Sequence, residues 1–498
     1  MRDKRDTHRQ FIMRFYAVFL ALGMFCFNAE IFAVETQWIK TVTSETDSSE
    51  FTGATLEPAG NIYAVGSIRG VSSHDFGNNV TTAGVSSNSN CVIVKYNATG
   101  VAQWAKTALK GSLWTRYAAV AIEPSGKNVY AVGYIAGKEA CFGEGITVEG
   151  GNDGNAVLVK YSSAGDVLWA KTVLSAPAIG ESFFASATSE FNAVTVDAAG
   201  NIYATGYVKG SGIYSFGGAV TFDAKTTFVG QAVIVKYDPK GNALWVRTIQ
   251  SQNNDSDNYG SKFYSVAVDS AGNVYAAGNI QDEGLLVFDD DVYAKGAYPG
   301  AANSVLVKYN AAGEVQWART TLKASSTSYF NSITIDSAGK NIYAAGHISG
   351  AGDFGFGKEL MVKGTSASEN AVLVKYSASG SALWAKSVVS GSKYSQFVSV
   401  ALDAAGNIYA AGYCKGTEAF GFGGSTTVNG ASSDNNVLIV KYNAAGVPQW
   451  AGTDKSRKYN SYCSAVVVDR AGKNIYLAGS DQLSEKNTDY CGMFIKFR

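Results

Sequence analysis

The chain has 498 residues, and its 41 Lys and Arg balance 41 Asp and Glu, so no overall field draws it toward nucleic acid or an anionic membrane. Tyr, Phe and Trp number 28, 25 and 8 beside 55 Gly and 6 Pro, the composition of aromatic-packed strands joined by glycine turns. After residue 33 the histidines are His74 and His347, which excludes a His-rich metal centre and leaves little for a Ser-His-Asp arrangement.

Residues 1–33 differ in kind from the rest. Arg2, Lys4, Arg5, Arg9 and Arg14 precede an apolar run over 15–27, and Ala33 offers a small residue at a cleavage point. This is the pattern of a secretory signal peptide, with Met13 as an alternative start. An uncleaved anchor and a lipoprotein acylated on Cys26 are the other readings, but the run is short for a span and Phe25 is bulky for an acylation site. No later segment reaches transmembrane length. The expected location is therefore exported: periplasmic, cell-surface or secreted. Cys91, Cys141, Cys414, Cys463 and Cys491 are widely spaced without a CxxC, which suits buried small apolar residues better than disulfides or zinc.

From Val34 onward one unit recurs, with four strand signals. Strand one ends in an acid (Glu57, Glu123, Asp197, Asp269, Asp336, Asp403, Asp469), and a glycine turn follows, from Gly60 to Gly472. Strand two opens on Asn-Ile/Val-Tyr and reaches a second glycine, Gly66 through Gly479. Strand three is the β-branched run ending Val/Ile-Lys-Tyr/Phe, with Lys95, Lys160, Lys236, Lys308, Lys375, Lys441 and Lys496. Strand four follows another glycine turn and carries Trp104, Trp169, Trp245, Trp317, Trp384 and Trp450. Strands one to three thus occur seven times and the Gly-x-x-x-Trp strand six. The missing copy stands at the other end, where Gln37-Trp38-Ile39-Lys40-Thr41 precedes any repeat, while the chain stops where a seventh fourth strand would start.

An orphan outer strand at one end and a missing one at the other predict an all-β, seven-bladed β-propeller. Its four-stranded antiparallel blades are closed by the N-terminal strand completing the C-terminal blade, which removes exposed edges. The expected organisation is a signal peptide over 1–33 and a single propeller over 34–498. Trp-to-Trp spacings give repeats of about 65–76 residues, against about 40–50 for compact propeller units. The extra length is expected in loops.

The Asp-x-Ala-Gly-Asn-Ile/Val-Tyr-Ala-x-Gly stretch, the Phe-Gly element after it (Phe76, Phe142, Phe216, Phe354, Phe420) and the Val-Lys-Tyr strand resemble the SBBP repeats of bacterial seven-bladed propeller proteins. The likeness extends over essentially all of 34–498. It implies a bacterial exported or surface propeller and supplies no general catalytic motif. The strand-one to strand-two piece is also similar to NHL repeats, and the Gly-x-x-x-Trp turn to the tryptophan-docking turn of PQQ-type propellers, without the adjacent cysteines of the dehydrogenases. Blade seven departs from the pattern: it lacks Phe-Gly, and Cys463 stands where Phe263 or Phe397 stands elsewhere.

Repeated Trp, Tyr and Lys are expected to be frame rather than site. The small residues of mid-strand one (Gly53, Ala119, Ala193, Ser265, Ser332, Ser399, Ala465) are expected to face a narrow central channel without a bulky cluster. The two-to-three and four-to-one connections are long, differ in every copy and would emerge on one face, the usual home of binding residues. In chain order, the aromatics proposed there as ligand contacts are Trp114, Tyr214, Tyr259, Tyr293, Tyr298 and Tyr394. Asn253, Asp255 and Asp257 alternate as calcium ligands do, although Asn258 replaces the expected glycine. Together with Asp289, Asp290 and Asp291 they form a candidate Ca²⁺ site or a solvated acidic patch. No other cofactor is indicated. The expected function is an exported, non-catalytic binding scaffold for a protein or glycan, with no nucleic-acid partner and no transmembrane span in the mature chain. A carbohydrate-active hydrolase or lyase using loop carboxylates is the alternative.

Overall fold

The computed structural model describes residues 35–44, 47–111, 114–143, 145–151, 154–177, 187–224, 229–251, 260–281, 285–289, 291–482 and 490–498. The leader read over 1–33 lies outside them. No helix among these residues is long and apolar enough to cross a membrane.

The four strand signals of each copy become one antiparallel four-stranded sheet, and seven such sheets are present. In the first sheet Ser49–Leu56, Ile62–Arg69, Ser89–Tyr96 and Ala102–Thr107 follow one another from inner to outer strand. The second to sixth sheets repeat that order, with inner strands Trp114–Ile122, Thr188–Val196, Gly260–Val268, Ser328–Ile335 and Ser395–Leu402. In the seventh, Ser461–Val468, Ile475–Gln482 and Tyr490–Phe497 are completed by Thr36–Thr41, which pairs Trp38 with Lys496 and Lys40 with Phe494. The orphan N-terminal strand therefore stands where the count of copies places it.

The middle strands are buried on both faces, as in Ile62–Arg69 and Ser89–Tyr96, so they read as near-continuous apolar runs rather than alternating ones. Each face packs on a neighbouring sheet. Seven core clusters are each shared by two sheets in succession, and one of them joins Ile62, Val92 and Tyr96 of the first sheet to Tyr476 and Phe494 of the seventh.

The repeated residues are the stitching. Asp269 accepts the amides of Ala271 and Asn273 on one oxygen and Asn273 Nδ2 and the Tyr275 hydroxyl on the other, which shapes the tight turn. Each strand-three lysine lies 5.1–5.5 Å from a repeated tyrosine ring. Five of them also reach a turn carbonyl of the next sheet, as Lys308 does to Ala378 at 3.2 Å. Each tryptophan from Trp38 to Trp384 supports the positive-φ glycine of the following sheet's three-to-four turn; a Cβ on Gly380 would stand 2.9 Å from Trp317, and one on Gly100 2.7 Å from Trp38.

A hydroxyl stitch was not anticipated. Seven buried Ser or Thr residues near the start of strand one each accept an amide from strand three of the preceding sheet, such as Ser304 N to Ser328 Oγ at 2.9 Å. The seventh runs from Gly492 N to Ser49 Oγ at 2.8 Å, between the two ends of the chain.

Among the described residues the extra repeat length is largely regular structure, which corrects the expectation of loops there. Six of the two-to-three connections form hairpins, for instance Glu139–Gly143 with Ile146–Glu149, and in four of them a short strand of the four-to-one connection joins to make a third strand. The Phe-Gly phenylalanines anchor these hairpins in the core: Phe76, Phe142, Phe216, Phe354 and Phe420 are all buried, and Phe288 is buried in the fourth copy. Thr172 Oγ1 donates to Glu149 O, tying a hairpin to the outer strand of its own sheet. The described hairpins thus fold against the outer strands of their sheets.

Candidate functional site

Strand one carries a bulge in every copy, at Thr52, Ala118, Asn192, Tyr264, Asn331, Val398 and Ser464. The bulge brings the strand's backbone over the second repeated glycine. A Cβ on Gly278 would penetrate the carbonyl oxygen of Lys262, and its counterparts from Gly66 to Gly479 are crowded in the same way. These glycines serve close approach rather than a turn.

Just before the bulge the repeat stops repeating. The residue preceding the buried aromatic, or Cys463 in the seventh copy, is Glu50, Arg116, Glu190, Lys262, Tyr329, Gln396 and Tyr462 in successive sheets. Their direct partners on strand two are Ser67, Tyr134, Tyr207, Asn279, His347, Tyr413 and Ser480. Positions equivalent in backbone, and mixed in chemistry, therefore recur before the bulge of each inner strand. The small residues of mid-strand one have a task of their own: Ser265, Ser332 and Ser399 accept amides of the next sheet, while the bulky groups stand three residues earlier on the same strands.

These variable residues bind one another across sheets. Arg116 Nε lies 3.2 Å from Glu50 Oε1, which also accepts the Ser67 hydroxyl. Tyr207 donates to Glu190, and Lys262 Nζ sits 4.1 Å over the Tyr207 ring, where burial lowers its pKa. His347 stacks on Tyr329 at 4.7 Å with Asn331 Nδ2 beside it. Burial brings this imidazole down from 6.5 to about 4. A folded-state pKa below the unfolded one means that the unfolded chain takes the proton first. The His347 contribution to stability is present above about pH 6.5 and is lost as the pH falls toward 4. A histidine-resolved NMR titration should place its midpoint near 4, and a midpoint near 6.5 would refute the buried stack.

A cavity of about 660 Å³ opens between the first, second, sixth and seventh sheets. Glu50, Ser67, Arg69 and Trp114 line one side, and Gln396, Tyr413, Tyr462, Ser464, Ser480 and Tyr490 the other. Tyr413 meets Tyr462 edge to face at 5.0 Å, and Tyr490 follows at 5.9 Å. Tyr394 stacks behind Tyr413 at 5.4 Å and donates to its hydroxyl, while Gln396 Nε2 also donates to that oxygen. Burial raises both phenols above the ordinary tyrosine value.

Of the six aromatics expected to contact a ligand, Trp114 lines this cavity at 47% exposure, and Tyr394 supports its wall. Tyr214 is fully buried with its hydroxyl on the Lys209 and Gly210 carbonyls, so it props its hairpin. Tyr293 is exposed on a rim hairpin, and Tyr298 N donates to Asn303 Oδ1. Neither lines the cavity. Tyr259, Asn253, Asp255, Asp257 and Asp290 lie outside the described residues. Asp289 ends a hairpin strand and Asp291 is exposed at its turn. Among the described residues no three His, Cys, Asp or Glu gather as metal ligands.

Reading motifs alone missed Glu50, Gln396, Tyr413 and Tyr462. Their signal lies in the repeat itself, as the column that changes in every copy between columns that do not. Buried Asn370 and Asn436 were missed as well; each amide oxygen accepts two loop amides at 2.8 Å, pinning the foot of a long connection.

No family model matches the chain. An uncharacterized WD repeat-containing protein of Acanthamoeba polyphaga mimivirus is 28% identical over 178 residues, an alignment that takes in 32% of this chain and 12% of that relative. Among solved structures, Kuenenia stuttgartiensis hydrazine synthase is similar with a TM-score of 0.41 at 12% identity, covering 87% of this chain and 93% of that one. The RRP9 WD40 repeats are similar with a TM-score of 0.43 at 7% identity, covering 93% and 100%.

Proposed function

We propose that the seven sheets are the blades of one closed propeller, exported behind the segment 1–33, which acts as a non-catalytic binding scaffold through the cavity between the first, second, sixth and seventh sheets. Closure is supported by the seventh hydroxyl stitch from Gly492 to Ser49 and by the core cluster that first and seventh sheets share. Binding is supported above all by one contrast. The frame positions keep the same residue in nearly every copy, whereas the position before the strand-one bulge changes from each copy to the next, on the same backbone pairing. A rigid frame carrying a concave surface of mixed chemistry suits recognition.

The alternative of two-carboxylate hydrolysis needs a pair of acids across a bond. Glu50 is the carboxylate among the described cavity-lining residues, and it is engaged by Arg116. The binding reading therefore stands ahead.

Ser480 faces the cavity from strand two, so Ser480→Trp should fill it while leaving the frame alone. In a thermal-shift screen of peptides and glycans, ligands that raise the melting temperature of the parent protein should fail to raise that of Ser480→Trp. Hits that stabilise both proteins equally would move the binding site elsewhere, and turnover of a hit would restore the hydrolase reading.

A further inference from the structure

Resting on the reading of this cavity as the binding site, we propose that its ligand is a neutral oligosaccharide, with a pyranose face against the Tyr413–Tyr462 wall and its hydroxyls toward the serines, Gln396 and Glu50.

The two sides of the cavity differ in a way that suits this chemistry. A pyranose has an apolar C–H face and a rim of hydroxyls that both donate and accept. Tyr413 and Tyr462 supply ring surface, and both rings are held in place. Tyr394 and Gln396 hold Tyr413, and Asn435 Nδ2 donates to the Tyr462 hydroxyl at 2.8 Å. Around them stand Ser67, Ser464 and Ser480, whose hydroxyls both donate and accept. A wholly apolar ligand would desolvate these groups without replacing their hydrogen bonds, which is unfavourable.

Charge bears on the class through two arginines. The Glu50 carboxylate has the Arg116 guanidinium at 3.2 Å, which compensates it, and Arg69 on the same wall is exposed and adds one cation, whose contribution the salt dependence of binding reads separately. The carboxylate keeps acceptor capacity toward a hydroxyl, since a carboxylate offers about four lone-pair sites. Size agrees as well: about 660 Å³ lies within the range of small-molecule sites and leaves room for more than one sugar ring. Weak, polar ligands gain most from walls that need no reordering on binding, and this wall is already tied down.

The test is isothermal titration of the purified protein with neutral glucan, chitin and mannan oligosaccharides, a uronic-acid oligosaccharide and a peptide library, at low and high salt. A neutral oligosaccharide should bind with an affinity that salt does not change. Tyr462→Ala and Gln396→Ala should each weaken it about tenfold or more, and Ser480→Trp should abolish it; Gln396→Ala and Ser480→Trp should keep the parent melting temperature, which separates lost contacts from lost folding. Binding of only the charged sugar or a peptide, with the same sensitivity to the variants, would overturn the sugar class and leave the cavity reading intact. A neutral sugar bound equally by parent and variants would overturn the cavity. No binding by any neutral oligosaccharide would overturn the proposal.

Discussion

Gly278→Ala is expected to cost about 3 kcal/mol or more, a large effect for one methyl group on a solvent-tolerant residue type. The added Cβ would enter the carbonyl oxygen of Lys262 and crowd Phe263 Cα. Both are backbone atoms, so no side-chain rotation relieves the clash. The strand must move outward, and it carries Phe263, which is fully buried in the core shared by the third and fourth sheets. Gly260→Ala is the control, because its Cβ would meet Val229 Cβ at an ordinary 3.7 Å and its φ is unexceptional. Denaturant unfolding should show a large shift in midpoint for Gly278→Ala and almost none for Gly260→Ala. Equal midpoints would refute the close-approach role assigned to the second glycine of every copy.

Removing residues 34–43 is expected to destabilise the protein by about 5 kcal/mol or more. The deletion strips Thr36–Thr41 from the seventh sheet, exposing the Tyr490–Phe497 edge. Trp38 goes with it, and its contacts with Tyr476 and Phe494 at 6.1 and 5.9 Å are lost. Loss of a buried or half-buried Trp costs about 3–5 kcal/mol, and each ladder hydrogen bond adds roughly 0.5–1.5. Gly100 also loses the indole beneath its turn, so the damage crosses into the first sheet. Calorimetry should record a lower melting temperature for the whole molecule, and an unchanged one would refute closure through this strand. Ser49→Ala tests the same seam more gently. It should cost about 1–3 kcal/mol, matching Ser328→Ala at an internal junction, because each leaves a buried amide without its acceptor.

Much of the frame was legible in the chain because it repeats. An acid, a glycine turn, Asn-Ile-Tyr and a tryptophan strand each answer a local need, and local needs show in local sequence. Trp38 without preceding strands, and Phe494-Ile495-Lys496 without a following one, were enough to pair the two ends. The hydroxyls of Ser49, Ser328 and their counterparts were not legible, because a serine at a strand start looks like any turn residue until a neighbouring sheet's amide meets it. The long connections misled for a related reason. Gly-rich, polar hairpins without strong alternation read as loops, and only the burial of Phe142 or Phe354 against the sheet reveals them as regular structure. The cavity was legible at Trp114 and, from behind, at Tyr394. Its other walls were hidden in strand one, where Gln396 and Tyr462 are 66 residues apart in sequence.

By itself the sequence determined the number of four-strand copies, the order of strands within each, the pairing of the chain ends and the frame role of the repeated Trp, Tyr and Lys. These follow from short-range spacing and from counting. Tertiary structure alone decided where recognition can occur. It did so because the packing of the first, second, sixth and seventh sheets brings Glu50, Gln396 and Tyr462, each just before a strand-one bulge, to the lining of one cavity. Convergence of that kind depends on how sheets pack together, which no single copy of the repeat encodes.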